Sequence, residues 1–173
     1  MNILNELDKD TRIHVERTEM LCLSVCKILH LSEEATLAIC VAAKYHDIGK
    51  IKIPAQILFK PGCLTAEERA VIQTHAGIGY EMTPDFPENI REMIRYHHED
   101  INGGGYYHLK ENEIPLGAQI LRVCDVYEAL TADRCYRKAL SREEAIDYIQ
   151  KQIGAIFSYK IAHAFLISLS YQR

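Results

Sequence analysis

The sequence has no pair of cysteines in a CxxC arrangement, although six of its 173 residues are cysteine. The six are scattered, most of them in apolar stretches: Cys22, Cys26, Cys40, Cys63, Cys124 and Cys135. A zinc site built on thiolates needs ligands grouped at short spacings. The pattern therefore argues against such a site. It predicts mostly buried free thiols, as in proteins of a reducing compartment.

The sequence also lacks a recognisable targeting segment and a membrane span. Residues 1–12 contain no apolar signal core, and no uninterrupted apolar run is long enough to cross a bilayer. The formal net charge is -4, and no run of lysine and arginine stands out. We therefore expect a cytoplasmic protein that binds neither membranes nor long nucleic acids.

Apolar residues recur at helical spacing along most of the chain, and no stretch shows the alternation of a half-buried strand. No repeat, low-complexity tract or linker interrupts residues 1–173, so we predict a single domain. The predicted class is all-α, a compact helical bundle with roughly seven helices.

Local sequence signals mark several helix boundaries. Ser32 before two glutamates, and capping boxes that begin at Thr65 and Ser141, predict three helix starts. Gly49 is expected to end the helix that Ser32 begins. Further helices are predicted at about 8–30, 88–98, 115–133 and 159–169, and loops at about 51–62 and 102–105.

Five histidines and two aspartates form an ordered set along the chain, H…HD…H…HH…D. The members are His14, His46, Asp47, His75, His97, His98 and Asp125. Neighbouring residues on a helix point about 100° apart. The two adjacent pairs can therefore converge on a metal only at helix ends that face a cleft.

Each of these residues alone has an ordinary structural explanation. His75 can be a surface or satisfied core histidine, and Asp125 can accept a buried hydrogen bond within its apolar helix. A pair of adjacent histidines can also arise by chance. The order of the whole set, with Gly49 and Lys50 directly after the His-Asp pair, favours a metal site over these separate explanations.

In its motifs the chain resembles the HD-GYP domain, a branch of the HD superfamily of metal-dependent phosphohydrolases. The resemblance runs from His14 to Ile149 and depends on several long words in the same order. The words are HVER at 14–17, HDIGKIKIP at 46–54, ILFKPG at 57–62, LTAEE at 64–68, TH at 74–75, IGYE at 78–81, HHE at 97–99, EIPL at 113–116, DVYEALT at 125–131 and DRCYRKA at 133–139.

The resemblance implies a centre of two or three divalent metals, held by the seven residues of the ordered set and bridged by Asp47. Asp10 lies one helical turn before His14, where relatives with a third metal have a glutamate. An ordinary acidic residue in a first helical turn explains Asp10 equally well. Mixed histidine and carboxylate ligands suit transition metals better than calcium, and the resemblance favours iron or manganese.

The resemblance also assigns roles to nearby cations. Together with Asp47, Lys50 would be catalytic, either stabilising phosphate charge or protonating the leaving group. The alternative for Lys50 is a solvated lysine that balances a helix C-terminus. Arg134, Arg137 and Lys138 would grip substrate phosphates, although a cationic helix end explains Lys138 as well.

One loop departs from the family signature. The chain has Gly105-Tyr106-Tyr107 where the family has Gly-Tyr-Pro, and Gly103, Gly105 and Tyr106 are assigned to the substrate loop. Because proline fixes a backbone torsion, we expect its loss to loosen this loop. Substrate preference and partner docking would be affected more than the metal ligands.

The leading hypothesis is a cyclic dinucleotide phosphodiesterase that acts on cyclic di-GMP. A second hypothesis is another HD-type reaction, by a nucleotidase or by a phosphodiesterase for a hybrid cyclic dinucleotide. A third is a non-catalytic module that binds a cyclic dinucleotide or a GGDEF domain, which loss of metal ligands would support. The resemblance further implies a GGDEF-domain or regulator partner and a homodimer.

Overall fold

Helices provide nearly all the regular structure of the computed structural model, which describes residues 3–133 and 138–171. Within these ranges there is no β-strand, only two isolated bridges, and the all-α prediction is confirmed. The periodicity predicts roughly seven helices, and the described residues form eight α-helices. They are α1 Lys9–Ile28, α2 Glu33–Tyr45, α3 Ala55–Leu58, α4 Ala66–Met82, α5 Glu88–Tyr96, α6 Leu116–Thr131, α7 Arg142–Lys151 and α8 Tyr159–Ser170.

Side-chain caps start the helices at the residues that the sequence predicts. Ser32 Oγ accepts a backbone hydrogen bond at the start of α2. Thr65 and Ser141 each form a complete capping box with the glutamate three residues later. Asp8 caps α1 by accepting two backbone N–H groups of its first turn. These caps satisfy donors that have no partner within the helix, and they fix where each helix enters the bundle.

Two predictions for the segment after α2 are wrong. Helix α2 ends at Tyr45, and Gly49 lies inside a 3-10 helix, Ile48–Lys52, without the positive φ that favours glycine at a helix end. The predicted loop at 51–62 contains the end of that 3-10 helix and also α3. Pro54 precedes α3 as its N-cap, a position where the missing N–H costs nothing.

The main core lies between α1, α2, α5, α6 and α8. Helix α1 packs against α2, α6 and α8, and α5 packs against α2, α4 and α6. Fully buried side chains in this core include Val25, Ile94, Leu121 and Phe165. Burial of such side chains supplies most of the driving force that fixes helices relative to one another. The helices that carry the candidate ligands are all part of this packing.

The described helices include none that is long and apolar enough to span a bilayer. The described cysteines are all free thiols: Cys22, Cys26 and Cys124 are buried, Cys40 is partly buried and Cys63 is exposed. Cys135 lies outside the described residues.

Candidate metal centre

The seven residues predicted as metal ligands converge in one cluster inside the helical bundle. Six of them are buried and the seventh is partly buried. In three overlapping groups, their ligand atoms lie within 4.8 Å of one another. The members are His14 on α1, His46 and Asp47 at the end of α2, His75 on α4, His97 and His98 at the end of α5, and Asp125 on α6.

Helix ends allow adjacent residues to face one point. After α2 ends, His46 keeps helical torsions with φ -55° and ψ -35°, whereas Asp47 has φ -97° and ψ 5°. The change brings His46 Nε2 to 3.5 Å from Asp47 Oδ2. His97 is likewise the C-cap of α5, and its ring centroid lies 4.0 Å from that of His98. Both adjacent pairs therefore occupy the kind of position that two neighbouring ligands require.

Gly49 sets the distance between the end of α2 and α4. A Cβ atom on Gly49 would lie 2.0 Å from the carbonyl oxygen of His75, so no larger residue fits without moving α4. The 3-10 helix Ile48–Lys52 therefore packs directly on the α4 backbone. This contact leaves Asp47 Oδ1 3.4 Å from His75 Nε2. Glycine is needed here for a close approach of two helices and not for a helix stop.

We call one side of the cluster the first half-site: His14, His46, Asp125 and the Oδ2 atom of Asp47. His14 Nε2 lies 3.0 Å from Asp125 Oδ1 and 3.3 Å from His46 Nε2. Asp47 Oδ2 lies 3.6 Å from His14 Nε2 and 3.5 Å from His46 Nε2. Two imidazole nitrogens and two carboxylate oxygens thus surround one small volume.

The opposite side is the second half-site: His75, His97, His98 and the Oδ1 atom of Asp47. His75 Nε2 lies 3.3 Å from His97 Nε2 and 3.2 Å from His98 Nε2. It also lies 3.4 Å from Asp47 Oδ1. The two oxygens of Asp47 therefore face different half-sites, as the oxygens of a bridging carboxylate must.

Hydrogen bonds on the far side of three rings determine what their Nε2 atoms can do. Nδ1 of His46, His75 and His97 lies 2.6–2.7 Å from the backbone carbonyl three residues earlier. A carbonyl only accepts, so Nδ1 carries the proton and Nε2 presents a lone pair. Contacts between two such Nε2 atoms are not hydrogen bonds. A cation between them satisfies both, so the residues fit a metal ion.

Burial makes the cluster suitable for a divalent cation. It lowers the pKa of the imidazoles of His46 and His75, and it lowers those of His97 and His98 most strongly. Burial alone raises the pKa of Asp47, but Lys50 and the surrounding histidines hold it well below its usual value. Neutral imidazoles beside ionised carboxylates are the protonation states in which these side chains bind metals.

His14 is held by a carboxylate instead of a backbone carbonyl. Its Nδ1 hydrogen-bonds Glu128 Oε2, and the Glu128 residue is only 4% exposed. Burial lowers the pKa of His14, but the hydrogen bonds to Asp125 and Glu128 raise it to about 9. A carboxylate behind a ligating imidazole fixes the orientation of the ring. It also makes the other ring nitrogen a stronger metal ligand.

Lys50 lies at the rim of the cluster. Its Nζ donates to Asp47 Oδ2 at 2.5 Å, and its side chain is 23% exposed. The ammonium group thus contacts the carboxylate shared by the two half-sites and also faces solvent.

The other charged residues predicted for the site lie apart from the cluster or outside the described residues. Asp10 is exposed in the first turn of α1 and belongs to no metal-binding group among the described residues. A third metal at Asp10, and the alternative of an ordinary acidic residue in a first turn, both stay predictions. Lys138 is exposed in the segment after α6. Arg134 and Arg137 fall outside the described residues.

The predicted substrate loop covers one edge of the second half-site. A Cβ on Gly105 would lie 2.5 Å from the Cα of Glu99, so the loop lies directly on the chain that follows His98. Gly103 has φ 85°, which suits glycine in a tight turn. The ring centroid of Tyr106 is 4.6 Å from that of His98. Tyr106 is therefore the aromatic residue of the loop that faces the cluster.

Tyrosine in place of proline at position 107 gives this loop two contacts that proline could not make. The Tyr107 N–H donates to Glu99 Oε1 at 2.8 Å, and the Leu109 N–H donates to Glu99 Oε2 at 2.8 Å. Proline has no N–H and could not make the first bond. The ring of Tyr107 also lies edge-on to that of Tyr96, with centroids 5.3 Å apart. Tyrosine thus lacks the torsional restraint of proline, but it adds a backbone donor and a ring contact.

The sequence patterns did not indicate a role for four residues that hold ligands or the loop in place: Glu99, Asp100, Arg122 and Glu128. Arg122 donates twice to Asp100 Oδ1, at 2.8 and 3.0 Å, and its Nη1 lies 3.4 Å from His98 Nδ1. Glu128 follows Asp125 by three residues, a helical spacing that could have identified it. The Asp100–Arg122 pair links distant parts of the chain, and no local pattern indicates it.

An all-α bundle closed around histidines and aspartates in this order has the fold and the ligand pattern of HD domains. A family model described as HD domain matches residues 1–158. The chain therefore belongs to the HD domain family, which confirms the resemblance found in its motifs.

Two curated relatives are about one third identical to this chain over the aligned residues. A cyclic di-GMP phosphodiesterase of Thermotoga maritima is 37% identical over 172 residues, which cover 96% of this chain and 47% of that protein. The 3'3'-cGAMP-specific phosphodiesterase 2 of Vibrio cholerae is 31% identical over 170 residues, which cover 95% of this chain and 33% of that protein. The chain thus spans less than half the length of these relatives.

Solved structures show the same fold at lower identity. Bd1817, described as a HDG"Y"P protein from Bdellovibrio bacteriovorus, matches with a TM-score of 0.75 and 18% identity, over 92% of this chain and 52% of that one. The HD domain of the Listeria monocytogenes phosphodiesterase PgpH, solved in complex with cyclic-di-AMP, matches with a TM-score of 0.73 and 17% identity, over 99% and 95%.

Proposed function

We propose that this chain is a metal-dependent phosphodiesterase that hydrolyses cyclic dinucleotides, with cyclic di-GMP as its substrate. The observation that carries the proposal is the position of Asp47, whose two oxygens face two groups of buried imidazoles. A carboxylate between two cations is typical of two-metal hydrolysis of phosphate esters. The names of the relatives support the same class of reaction.

Each half-site would hold one divalent ion, with Asp47 shared between them. Imidazole and carboxylate ligands together suit first-row transition metals, and we favour iron or manganese on the family resemblance. When bound, such ions lower the pKa of water and stabilise negative charge on phosphate oxygens. Glu128 would keep His14 turned toward the first half-site, and backbone carbonyls would hold His46 toward the same half-site and His75 and His97 toward the second.

The reaction adds water across one phosphodiester linkage of the ring. A new bond forms between phosphorus and the water oxygen, the bond to the leaving ribose oxygen breaks, and that oxygen takes a proton. The product is a linear dinucleotide, and a second hydrolysis would give mononucleotides. Both kinds of substrate named for the relatives, cyclic di-GMP and 3'3'-cGAMP, contain this linkage.

Lys50 would act on the phosphate from the rim of the site. Its ammonium group is bonded to Asp47 and remains partly exposed, so a phosphate that approaches from solvent can reach it. There it would stabilise phosphate charge or donate a proton to the leaving oxygen. Arg134, Arg137 and Lys138 remain predictions from the resemblance as further phosphate contacts.

A second candidate is a phosphodiesterase for hybrid cyclic dinucleotides. Several relatives from Vibrio cholerae carry the name 3'3'-cGAMP-specific phosphodiesterase, at 31–32% identity. Preference between the two substrates depends on base recognition, which the metal ligands do not provide. A nucleotidase or a non-catalytic binding module is less well supported, because all seven predicted ligands are present and clustered. A GGDEF-domain or regulator partner, a homodimer and a cytoplasmic location remain predictions.

The experiment is a hydrolysis assay on protein purified anaerobically under reducing conditions and loaded separately with Fe²⁺ or Mn²⁺. Cyclic di-GMP and 3'3'-cGAMP are supplied, and products are separated by chromatography while bound metal is counted. We expect cleavage of cyclic di-GMP and about two ions per chain. Asp47→Ala should abolish turnover and lower the bound metal, because both half-sites lose an oxygen.

The matched control is Asp147→Ala, which removes an exposed carboxylate on α7 that pairs with Lys151 at the surface. It should keep metal content and turnover. Failure of the metal-loaded protein to cleave either dinucleotide would refute the proposed function. Turnover retained in Asp47→Ala would refute the shared-carboxylate mechanism.

A further inference from the structure

Tyr107 makes contacts that the proposed reaction does not use. It occupies the position where the family signature has proline, and it lies one residue after Tyr106, which faces the metal centre. Its backbone and its ring contact two different parts of the protein. Both contacts depend on chemical groups that proline lacks.

The first contact is made by the backbone. Glu99 is 2% exposed and follows His98 directly in the chain. One of its carboxylate oxygens accepts the Tyr107 N–H and the other accepts the Leu109 N–H, each at 2.8 Å. A buried carboxylate with charge-assisted hydrogen bonds to two backbone donors is a strong restraint. It ties the loop to the segment that carries the two adjacent histidines of the second half-site.

The second contact is made by the ring. Tyr107 lies edge-on to Tyr96 at an interplanar angle of 90°, and the Arg95 guanidinium carbon lies 5.0 Å from the Tyr107 ring centroid. The same guanidinium lies 5.1 Å from the ring of Tyr80 and 5.7 Å from that of Tyr96. Arg95 Nε is buried without a hydrogen-bond partner, so aromatic rings supply much of the environment of this cation.

The surface of α4 leaves room for this ring. A Cβ atom on Gly77 would lie 3.0 Å from the Tyr107 hydroxyl, tighter than an ordinary contact. Tyr107 therefore lies against α4 at Gly77 and against α5 at Arg95 and Tyr96. Helix α4 also carries His75, so the loop is attached beside the ligands of the second half-site.

Tyr106, the residue before Tyr107, lies beside two histidines of the second half-site. Its ring centroid is 4.6 Å from that of His98, with a tilt of 35°, and 6.3 Å from that of His75. Without the contacts of Tyr107, the glycines on the N-terminal side of the loop, Gly103 to Gly105, would leave Tyr106 free to move away. Tyrosine rings are among the groups that stack with nucleobases.

We propose that Tyr107 is a positioning residue, which holds Tyr106 over His98 so that the loop forms one wall of the cleft for the dinucleotide. This inference rests on the proposed function for its effect on substrate. The attachment of the loop itself does not depend on that function. The two parts are therefore measured separately, by amide hydrogen exchange and by kinetics.

The test compares Tyr107→Ala, Tyr107→Pro, Tyr107→Phe and Arg95→Met with the metal-loaded parent protein. Tyr171→Ala is the control, because Tyr171 is 77% exposed at the far end of α8. Measurements are thermal unfolding, bound metal, amide hydrogen exchange of residues 102–110, and KM and kcat for cyclic di-GMP.

The alanine and proline variants should speed exchange of the loop amides about tenfold and raise KM about tenfold, with kcat within about threefold and metal content unchanged. Tyr107→Phe should keep most of both parental values, because the N–H and the ring remain and only the hydrogen bond between the hydroxyl and Arg95 is lost. Arg95→Met should shift both values in the same direction by a smaller factor. Tyr171→Ala should match the parent.

The proposal would be overturned if Tyr107→Ala and Tyr107→Pro kept the parental KM and the parental rate of amide hydrogen exchange in the loop. A loss of metal that accompanies the change in KM would also overturn it, since Tyr107 would then support the metal centre and not the cleft. If Tyr107→Ala does not fold, Arg95→Met tests the same contact from α5. If the parent cleaves no cyclic dinucleotide, the proposed function fails by itself. The exchange rates then still decide whether Tyr107 attaches the loop.

Discussion

The two half-sites of the metal centre differ in charge and in the way their rings are held. The first contains Asp125 and one oxygen of Asp47, and the carboxylate of Glu128 lies behind His14. The second contains three imidazoles and only the other oxygen of Asp47. Its rings are held by backbone carbonyls and, at His98, by the neighbouring Arg122.

This difference has a consequence for metal binding. A divalent cation is stabilised more by ionised carboxylates than by neutral imidazoles, so we expect the first half-site to hold its ion at lower free metal concentration. The second half-site depends more on backbone geometry, since helix α4 and the end of α5 must stay in place relative to Asp47. Substitutions that act on charge and substitutions that act on helix position should therefore affect the two half-sites differently.

The largest effect should come from Gly49→Ala, which acts on the contact that joins the half-sites. The added Cβ would lie 2.0 Å from the carbonyl oxygen of His75, so α4 must move away from Asp47. We expect the free energy of unfolding to fall by about 1–3 kcal/mol, as for other overpacked sites. The metal ion of the second half-site should be lost before that of the first. Denaturant unfolding and metal counting measure the two effects.

Gly62→Ala separates this clash from the general effect of removing a glycine. Gly62 has φ 109°, and a Cβ atom added there would have no atom within 4 Å. Alanine at this position therefore adds backbone strain but no clash. Its bound metal should equal that of the parent. Full metal content in Gly49→Ala would show that the close packing of the 3-10 helix Ile48–Lys52 on α4 is not what joins the half-sites.

An intermediate effect is expected for Glu128→Gln, which acts on the first half-site alone. The substitution keeps the size of the side chain but removes the charge behind His14. Changes of this kind around metal ligands typically lower metal affinity about 10- to 100-fold. Titration of the metal-free protein with Mn²⁺ should show a weaker first binding step and a nearly unchanged second one.

The matched control for this charge change is Glu143→Gln in the exposed first turn of α7. Equal weakening of both steps in Glu128→Gln would show that the half-sites are not separable by charge.

The smallest effect is expected for Arg122→Met, which acts on the second half-site. Arg122 holds Asp100 and lies beside His98, but its side chain is 18% exposed and that of Asp100 is 15% exposed. Partly exposed ion pairs contribute about 1 kcal/mol or less, so the second metal-binding step should weaken about fivefold or less. Lys151→Met, at an exposed pair on α7, is the control in the same titration. An effect larger than that of Glu128→Gln would reverse the proposed order.

Much of the fold was predictable because its signals are local. Ser32, Thr65 and Ser141 bond to backbone groups within three residues, so their capping patterns are visible in the sequence and are confirmed. The prediction for Gly49 is wrong because glycine serves two different structural purposes. It can end a helix or allow two backbones to approach closely, and the sequence looks the same in both cases. Only the position of α4 distinguishes them.

The chain by itself determined an all-α fold, the HD family and the seven side chains that cluster. Helical periodicity, caps and ordered motif words depend on neighbours in sequence. Tertiary structure alone decided that the oxygens of Asp47 face two unequal half-sites, that Glu128 lies behind His14, and that the Tyr107 N–H donates to Glu99. Those contacts join residues far apart in the chain, or depend on the course of a loop, and their geometry follows from how the helices pack.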